Sequence, residues 1–546
     1  MLNRFKNAIY NVVGGLDALP TVKDGEPAGA DRLPLKFKYT RPSFLQLTSD
    51  DEIQVSADHL IRPIIVPRDI SKIPWNAGYA EAINAGKSLR NEDQGAVFRG
   101  AVRRQVHARE PRESGSRQSL HPAADGDPPG DAGREAATPD SPETTTGGDT
   151  VEQMLPWVYF ALFDGHAGSG VAVAASNTLQ KIIQEKLMNI MDLLLPSTAE
   201  NGDAKDRATF LPFGDKKVST DSLIIGALET AFWDMDKQIA RDKKHYKMTG
   251  GCTVLVALFI LGKLYLANAG DSRQCNWSHL SCRAVICRGD KVIPMSSDFT
   301  PETERSRIKH LGMQCPELLG NDFTHLEFVR RPVRADLGKR LLCRDAYMTG
   351  WAYKTITTED LKFPLIYGEG KRSRVLATIG VTRGFGDHDL KAQSSNVDIK
   401  PFLTAEPEAG LVRVFDVSSE ELTEGDVLVM GTDGLWDVMA NEKAAEVVQK
   451  SLDHFPANDT QRMKFRYISA AQDLVMHSRG KLKERNWRTA DNRAATIDDI
   501  SVFVIPLKAY QDEHRAWAAS LLSPPQSPPP PPALGSPQSP SGNVAL

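Results

Sequence analysis

The run Trp157-Val158-Tyr159-Phe160-Ala161-Leu162-Phe163 passes without a break into Asp164-Gly165-His166-Ala167-Gly168. An apolar strand that ends in an aspartate is a common turn on its own, because Asp and Gly suit tight reversals. Here the pattern recurs. Leu264–Ala269 leads into Gly270-Asp271-Ser272-Arg273, and Val375–Ile379 is followed by Thr382-Arg383-Gly384-Phe385-Gly386-Asp387. Val427–Met430 leads into Thr432-Asp433-Gly434-Leu435-Trp436-Asp437, and Asp498-Asp499 immediately precedes Ile500–Ile505. Upstream, Asn91-Glu92-Asp93 sits beside a small-residue segment.

These runs, with Thr253–Ile260, read as strands. Leu261-Gly262-Lys263 joins two of them as a hairpin, which argues for antiparallel pairing. Helices are expected at 168–194, 221–243, 441–453 and 467–479. The fold class that follows is α+β in layers, not a doubly wound parallel sheet. If the strands stack in one sandwich, their acidic ends meet at one edge. Clustered carboxylates resist joint ionisation, and a cation relieves that. Oxygen ligands without Cys or paired His select hard ions such as Mg²⁺ or Mn²⁺. Gly165, lacking a Cβ, can bring its backbone carbonyl close to such an ion.

The chain's 546 residues suffice for a large core, and a net charge of −4 gives no sign of a nucleic-acid binder. Six cysteines without CxxC spacing argue against a zinc ribbon or a redox pair and fit a reducing cytoplasm or nucleus. No apolar run is long enough for a transmembrane helix. Leu2 excludes the usual myristoylation signal. Residues 1–32 are read as an amphipathic helix plus linker. Leu2, Phe5, Ile9, Val12, Val13 and Leu16 line one face, and two readings stay open: peripheral contact with a membrane surface, or docking on the folded domain. A single domain is expected over 33–507. It carries a disordered Pro/Gly/Ser-rich insertion at about 100–150 and a polar loop at about 196–220. A Pro/Ser-rich extended tail is expected over 508–546.

Taken together, the quoted strings resemble the metal-dependent, type 2C (PPM) protein phosphatase family, in the family's order over most of 75–507. Gly350-Trp351-Ala352-Tyr353-Lys354 and Phe323-Thr324-His325-Leu326-Glu327-Phe328 are similar to its H/J/M branch. The resemblance implies a central antiparallel β-sandwich flanked by helix pairs, an α-β-β-α stack with a two-metal site at one end. It implies hydrolysis of phosphoserine and phosphothreonine on proteins. By motif, Asp164, Gly165 and Asp433 would hold the metal pair and Asp498 one of its ions. Glu92 and Asp93 would act partly through water, and Asp271 and Asp437 would serve a weaker third metal. It also implies a substrate-facing flap at about 298–372, where Arg330, Arg331, Arg334, Lys339 and Arg340 read either as an acidic-partner site or as a solvated face.

Two metals about 3.5–4 Å apart can share a bridging water and lower its pKa for in-line attack on phosphorus. No phosphoenzyme is expected. His166 is the candidate general acid for the departing alkoxide. Two departures from the family stand out. Ser88 occupies the position of a phosphate-gripping arginine, with Lys87 beside it as a point-charge substitute. Residues Gln274–Arg283 interrupt the strand after Asp271. Competing readings are a cysteine phosphatase built on Cys282 and Arg288, which lacks glycines between them; a nucleotide loop at Gly165–Gly170, which fits neither common pattern; and a non-catalytic scaffold on the same fold.

Overall fold

The computed structural model describes residues 33–107, 150–195, 218–270, 282–297, 299–369, 372–393, 395–407, 412–456 and 458–522. Ten strands make two antiparallel sheets. They are β1 (Gly78–Ala82), β2 (Gln94–His107), β3 (Thr150–His166), β4 (Gly251–Ile260), β5 (Lys263–Ala269), β6 (Arg283–Arg288), β7 (Lys291–Pro294), β8 (Arg413–Asp416), β9 (Val427–Gly431) and β10 (Ile500–Pro506). One sheet runs β8-β5-β4-β3-β2 and the other β1-β10-β9-β6-β7.

Burial of both faces, which alternate at period two, explains why β3 is apolar from Leu155 to Phe163. Val158, Phe160 and Leu162 pack between the sheets with Phe259, Ile286, Met430 and Phe503. Tyr159, Ala161 and Phe163 face outward onto helices α1 (Gly170–Asn189) and α2 (Thr220–Asp242). The other sheet is covered by α3 (Asn441–Asp453) and α4 (Arg466–Arg479) through Val447, Val448, Leu474 and Val475. The expected four-layer stack is therefore the observed one.

Three expectations need correction. The stretch read as disordered from residue 100 is strand as far as His107, paired with Thr150–Trp157; Val102 and Leu155 bury an apolar face that a polar composition conceals. The tail read as extended from 508 begins instead as a helix, α5 (Leu507–Leu522). Its Leu507 and Tyr510 enter the inter-sheet core, and the Trp517 indole donates to the Met154 carbonyl at 3.2 Å. Val375–Ile379 is a turn rather than a strand, with Leu376 and Ala377 at φ of 48° and 56°. The N-terminal amphipathic segment lies outside the described residues, as do 108–149, 196–217 and 523–546.

Most of the described residues between 299 and 407 gather around a core of their own, while Phe385 and Gly386 join the sheet beside β4. That core gathers Ile308, Phe323, Leu365, Val375 and Phe402.

Candidate active site

Register alone assembles the acidic edge. On β3, Asp164, Gly165 and His166 lie opposite Thr253, Cys252 and Gly251 of β4. Phe385 and Gly386 pair with the same end of β4 from its other side, which carries Asp387 to His166. In the facing sheet β9 ends at Gly431, opposite Val502 of β10. Asp433 thus leaves one strand where Asp498 and Asp499 enter its antiparallel neighbour. Asn91-Glu92-Asp93 leads into β2 beside them.

The carboxylates are buried and under-satisfied. Asp164 and Asp433 each keep one oxygen without a hydrogen-bond partner among the described residues. Burial first, then Asp498 and Asp499, push the Asp164 carboxyl up to about 8. Burial, Asp164 and Asp498 push Asp433 well above the usual range, and burial with Asp164 and Asp499 does the same to Asp93. Asp499 is raised to about 7 by burial and by Asp498. These acids destabilise one another as anions, and that mutual cost is what a divalent cation would remove. Among the described residues no group of three or more His, Cys, Asp or Glu is placed so that it could hold a metal ion. The nearest positive charge is Lys87, whose Nζ lies 2.5 Å from the Asp498 carboxylate. Asp433 and Asp164 join Asp498 in raising its pKa against the opposing effect of burial. The chemistry of the set, all oxygen with unpartnered buried acceptors, fits Mg²⁺ or Mn²⁺.

Neighbouring groups tie the acids down. Thr432 Oγ1 donates to Asp93 at 2.7 Å. Asp499 accepts from the Asn84 and Glu92 backbone amides at 2.8 and 3.0 Å. Glu92 in turn accepts from the Gly168 amide at 2.7 Å. Gly165 is required sterically: a Cβ there would lie 2.6 Å from the Glu92 carbonyl oxygen.

His166 Nε2 lies 2.7 Å from Asp387, while its Nδ1 has no partner among the described residues. Burial works against a charged imidazole, but Asp387, with Asp164 and Glu92, raises the His166 pKa on balance. A side chain at Gly251 would overlap both members of this pair. Asp387 and Asp499 stand in the quoted strings without an assigned role; the signal for Asp387 is its place directly after Gly384-Phe385-Gly386.

Asp437 lies near enough to raise the Asp433 pKa. Asp271 falls outside the described residues, as do Gln274–Ser281 of the interrupting segment. Cys282 is fully buried and Arg283 opens β6 opposite Gly431. A cysteine-phosphatase loop is thereby excluded, because Cys282 leads into a strand and Arg288 pairs with Glu420 at 2.6 Å. In the flap, Arg330 binds Asp336 at 2.6 Å, Arg331 stacks 3.7 Å over Phe363, and Arg340 lies over Tyr353.

A sequence model described as protein phosphatase 2C matches residues 144–327 and 366–475. The chain is 46% identical over 542 residues to protein phosphatase 1H of Homo sapiens, spanning 93% of this chain and 99% of that protein. Protein phosphatase 1H of Danio rerio is 43% identical over 544 residues, spanning 93% and 98%. Protein phosphatase 1J of Homo sapiens is 41% identical over 550 residues, spanning 93% and 99%.

Proposed function

This chain belongs to the protein phosphatase 2C family of metal-dependent protein serine/threonine phosphatases, and on that premise we propose how its residues divide the work. Asp164, the Gly165 carbonyl and Asp433 hold a pair of Mg²⁺ or Mn²⁺ ions, with Asp498 on one of them. Glu92 and Asp93 contribute partly through water, and Asp437 with Asp271 serves a weaker third site. Bound ions supply charge neutralisation for the phosphoryl oxygens and an acidified water as the attacking group. His166 holds a proton at Nδ1 for the departing serine or threonine oxygen, its ring fixed from behind by Asp387. Lys87, beside Asp498, would meet the substrate phosphate as a point charge.

The observation that carries this reading is the unpartnered oxygen on each of the buried carboxyls of Asp164 and Asp433, both raised by burial and by Asp498, with Asp164 adding to the rise at Asp433. The test is hydrolysis of p-nitrophenyl phosphate with Mn²⁺, with EDTA and Asp433→Ala as controls. Turnover that survives either control removes the two-metal assignment. Absence of any Mn²⁺-dependent turnover in the native chain would instead support the scaffold reading.

For residues 1–16 we propose peripheral contact with a membrane surface from the cytoplasmic side. Co-sedimentation with liposomes of the full chain but not of residues 17–546 is the expected result, and equal behaviour ends the idea.

A further inference from the structure

Arg62 is fully buried, yet among the described residues no carboxylate oxygen accepts from it. Its guanidinium spends itself on three backbone carbonyls: Nε on Ile83 at 2.5 Å, Nη1 on Thr496 at 2.7 Å and Nη2 on Asp498 at 2.6 Å. Residues 496 and 498 are more than 400 positions away in sequence. The backbone at Arg62 itself is left-handed, with φ of 48°, a conformation unfavourable for a long side chain unless the surroundings impose it. Those surroundings are specific. The Arg62 carbonyl accepts from Arg479 Nη1 at 2.7 Å. Trp487, on the hairpin formed by Lys481–Lys483 and Asn486–Arg488, sits with its ring 5.1 Å from the Arg62 guanidinium and 5.8 Å from that of Arg479.

What the fork joins is informative. Ile83 precedes Asn84, whose side-chain oxygen accepts from the Gly86 and Lys87 amides at 2.9 and 2.7 Å and so shapes the turn that presents Lys87. Thr496 and Asp498 bracket the loop that presents the Asp498 carboxylate. One planar cation therefore fixes the relative position of Lys87 and Asp498. A lysine presents its three donors from a single nitrogen, whereas these carbonyls accept from three separate nitrogens of a rigid fork.

We propose that Arg62, roofed by Trp487, is a positioning residue that sets the Asp498 carboxylate for divalent-ion binding. This rests on the reading that Asp498 is an ion ligand. A positioning role and a purely electrostatic one predict opposite signs. A fixed positive charge beside a cation site repels the cation, so deleting it without structural consequence would tighten ion binding. Loss of alignment weakens it, by about 10–100-fold for partners that orient a ligand.

The experiment is Mn²⁺ titration by calorimetry on the full chain, native and as Asp498→Asn, Arg62→Lys, Arg62→Met and Trp487→Leu, with melting in EDTA as the measure of fold. Asp498→Asn is expected to lose one Mn²⁺ site; if it keeps native stoichiometry and affinity, the ligand reading itself fails. Given that loss, both Arg62 variants are expected to bind Mn²⁺ at the Asp498 site at least about tenfold more weakly. A fall in melting temperature alone, with native affinity, makes Arg62 merely structural and overturns the proposal, as does tighter binding in Arg62→Met. Should neither Arg62 variant fold, Trp487→Leu on the surface hairpin decides: severalfold weaker Mn²⁺ binding sustains the proposal and native affinity ends it.

Discussion

The flap and the strand-end cluster hold the same kind of side chain in opposite electrical conditions. In the flap Glu327, Asp336 and Asp360 each have a cation close by. Glu327 accepts from Arg305 at 2.9 Å, Arg344 at 2.7 Å and Lys309; Asp336 is gripped by Arg330 and Asp360 by Lys354, each six residues away in the chain. All three carboxyls are held below their ordinary range despite the upward pull of burial. At the strand ends Asp93, Asp164, Asp433 and Asp499 are raised, with Lys87 as the neighbouring cation. The flap neutralises itself from its own sequence, whereas the sandwich edge gathers acids from distant strands and leaves their charge to be met from solution.

Asp433→Asn should sharpen that contrast most. Mn²⁺-dependent hydrolysis of p-nitrophenyl phosphate is expected to fall by roughly a thousandfold or more. In EDTA the same variant should melt a few degrees higher than the native chain, because an uncompensated buried charge is gone. Lower melting in EDTA would break the comparison.

Asp387→Asn tests the orienting pair. A phosphothreonine peptide needs a proton on its leaving oxygen and p-nitrophenyl phosphate hardly does. The loss should therefore be about 10²-fold for the peptide and severalfold smaller for the aryl ester. Equal losses on both substrates would argue against His166 as the proton donor.

Glu327→Gln belongs to the self-neutralised lobe. It is expected to cost about 1–3 kcal/mol of flap stability by depriving Arg344 and Lys309 of their carboxylate while Arg305 keeps Glu302, seen as faster proteolysis within 299–407, with p-nitrophenyl phosphate turnover within about twofold of native. The smallest effect is in pH. Glu327 has a folded pKa below its unfolded one, so its stabilisation is present above the unfolded value, about 4.3, and is lost as pH falls through the folded value. Hydrogen exchange in the flap should quicken below about pH 4; quickening on the alkaline side would contradict the sign.

How much of this was legible in the sequence follows from where each signal lies. Strands buried on both faces, such as Trp157–Phe163 and Val427–Met430, announce themselves as apolar runs, and the aspartates that end them stand next to them in the chain. Residues 100–107 did not, because Arg103 and Gln105 are exposed, Arg104 on the covered face bonds Asp192 and Gln153, and only Val102 and its partner Leu155 mark the core. The first turns of α5 were hidden by the proline-rich stretch that follows. Support groups were least visible. Arg62 speaks to backbone carbonyls at the other end of the chain, and Asp387 reaches His166 only because two strands flank Gly251.

One consequence follows from the long β2–β3 ribbon. Both of its strands meet the acidic edge at one end, near Gln94 and Phe163, and run 14 paired residues to His107 and Thr150 at the other. At about 3.3 Å per residue the far tip lies roughly 45 Å along the ribbon from the chemistry. The segment between 108 and 149 is thus tethered on a boom, and cargo spliced into it, a fluorophore or a capture handle, should ride there with turnover unchanged.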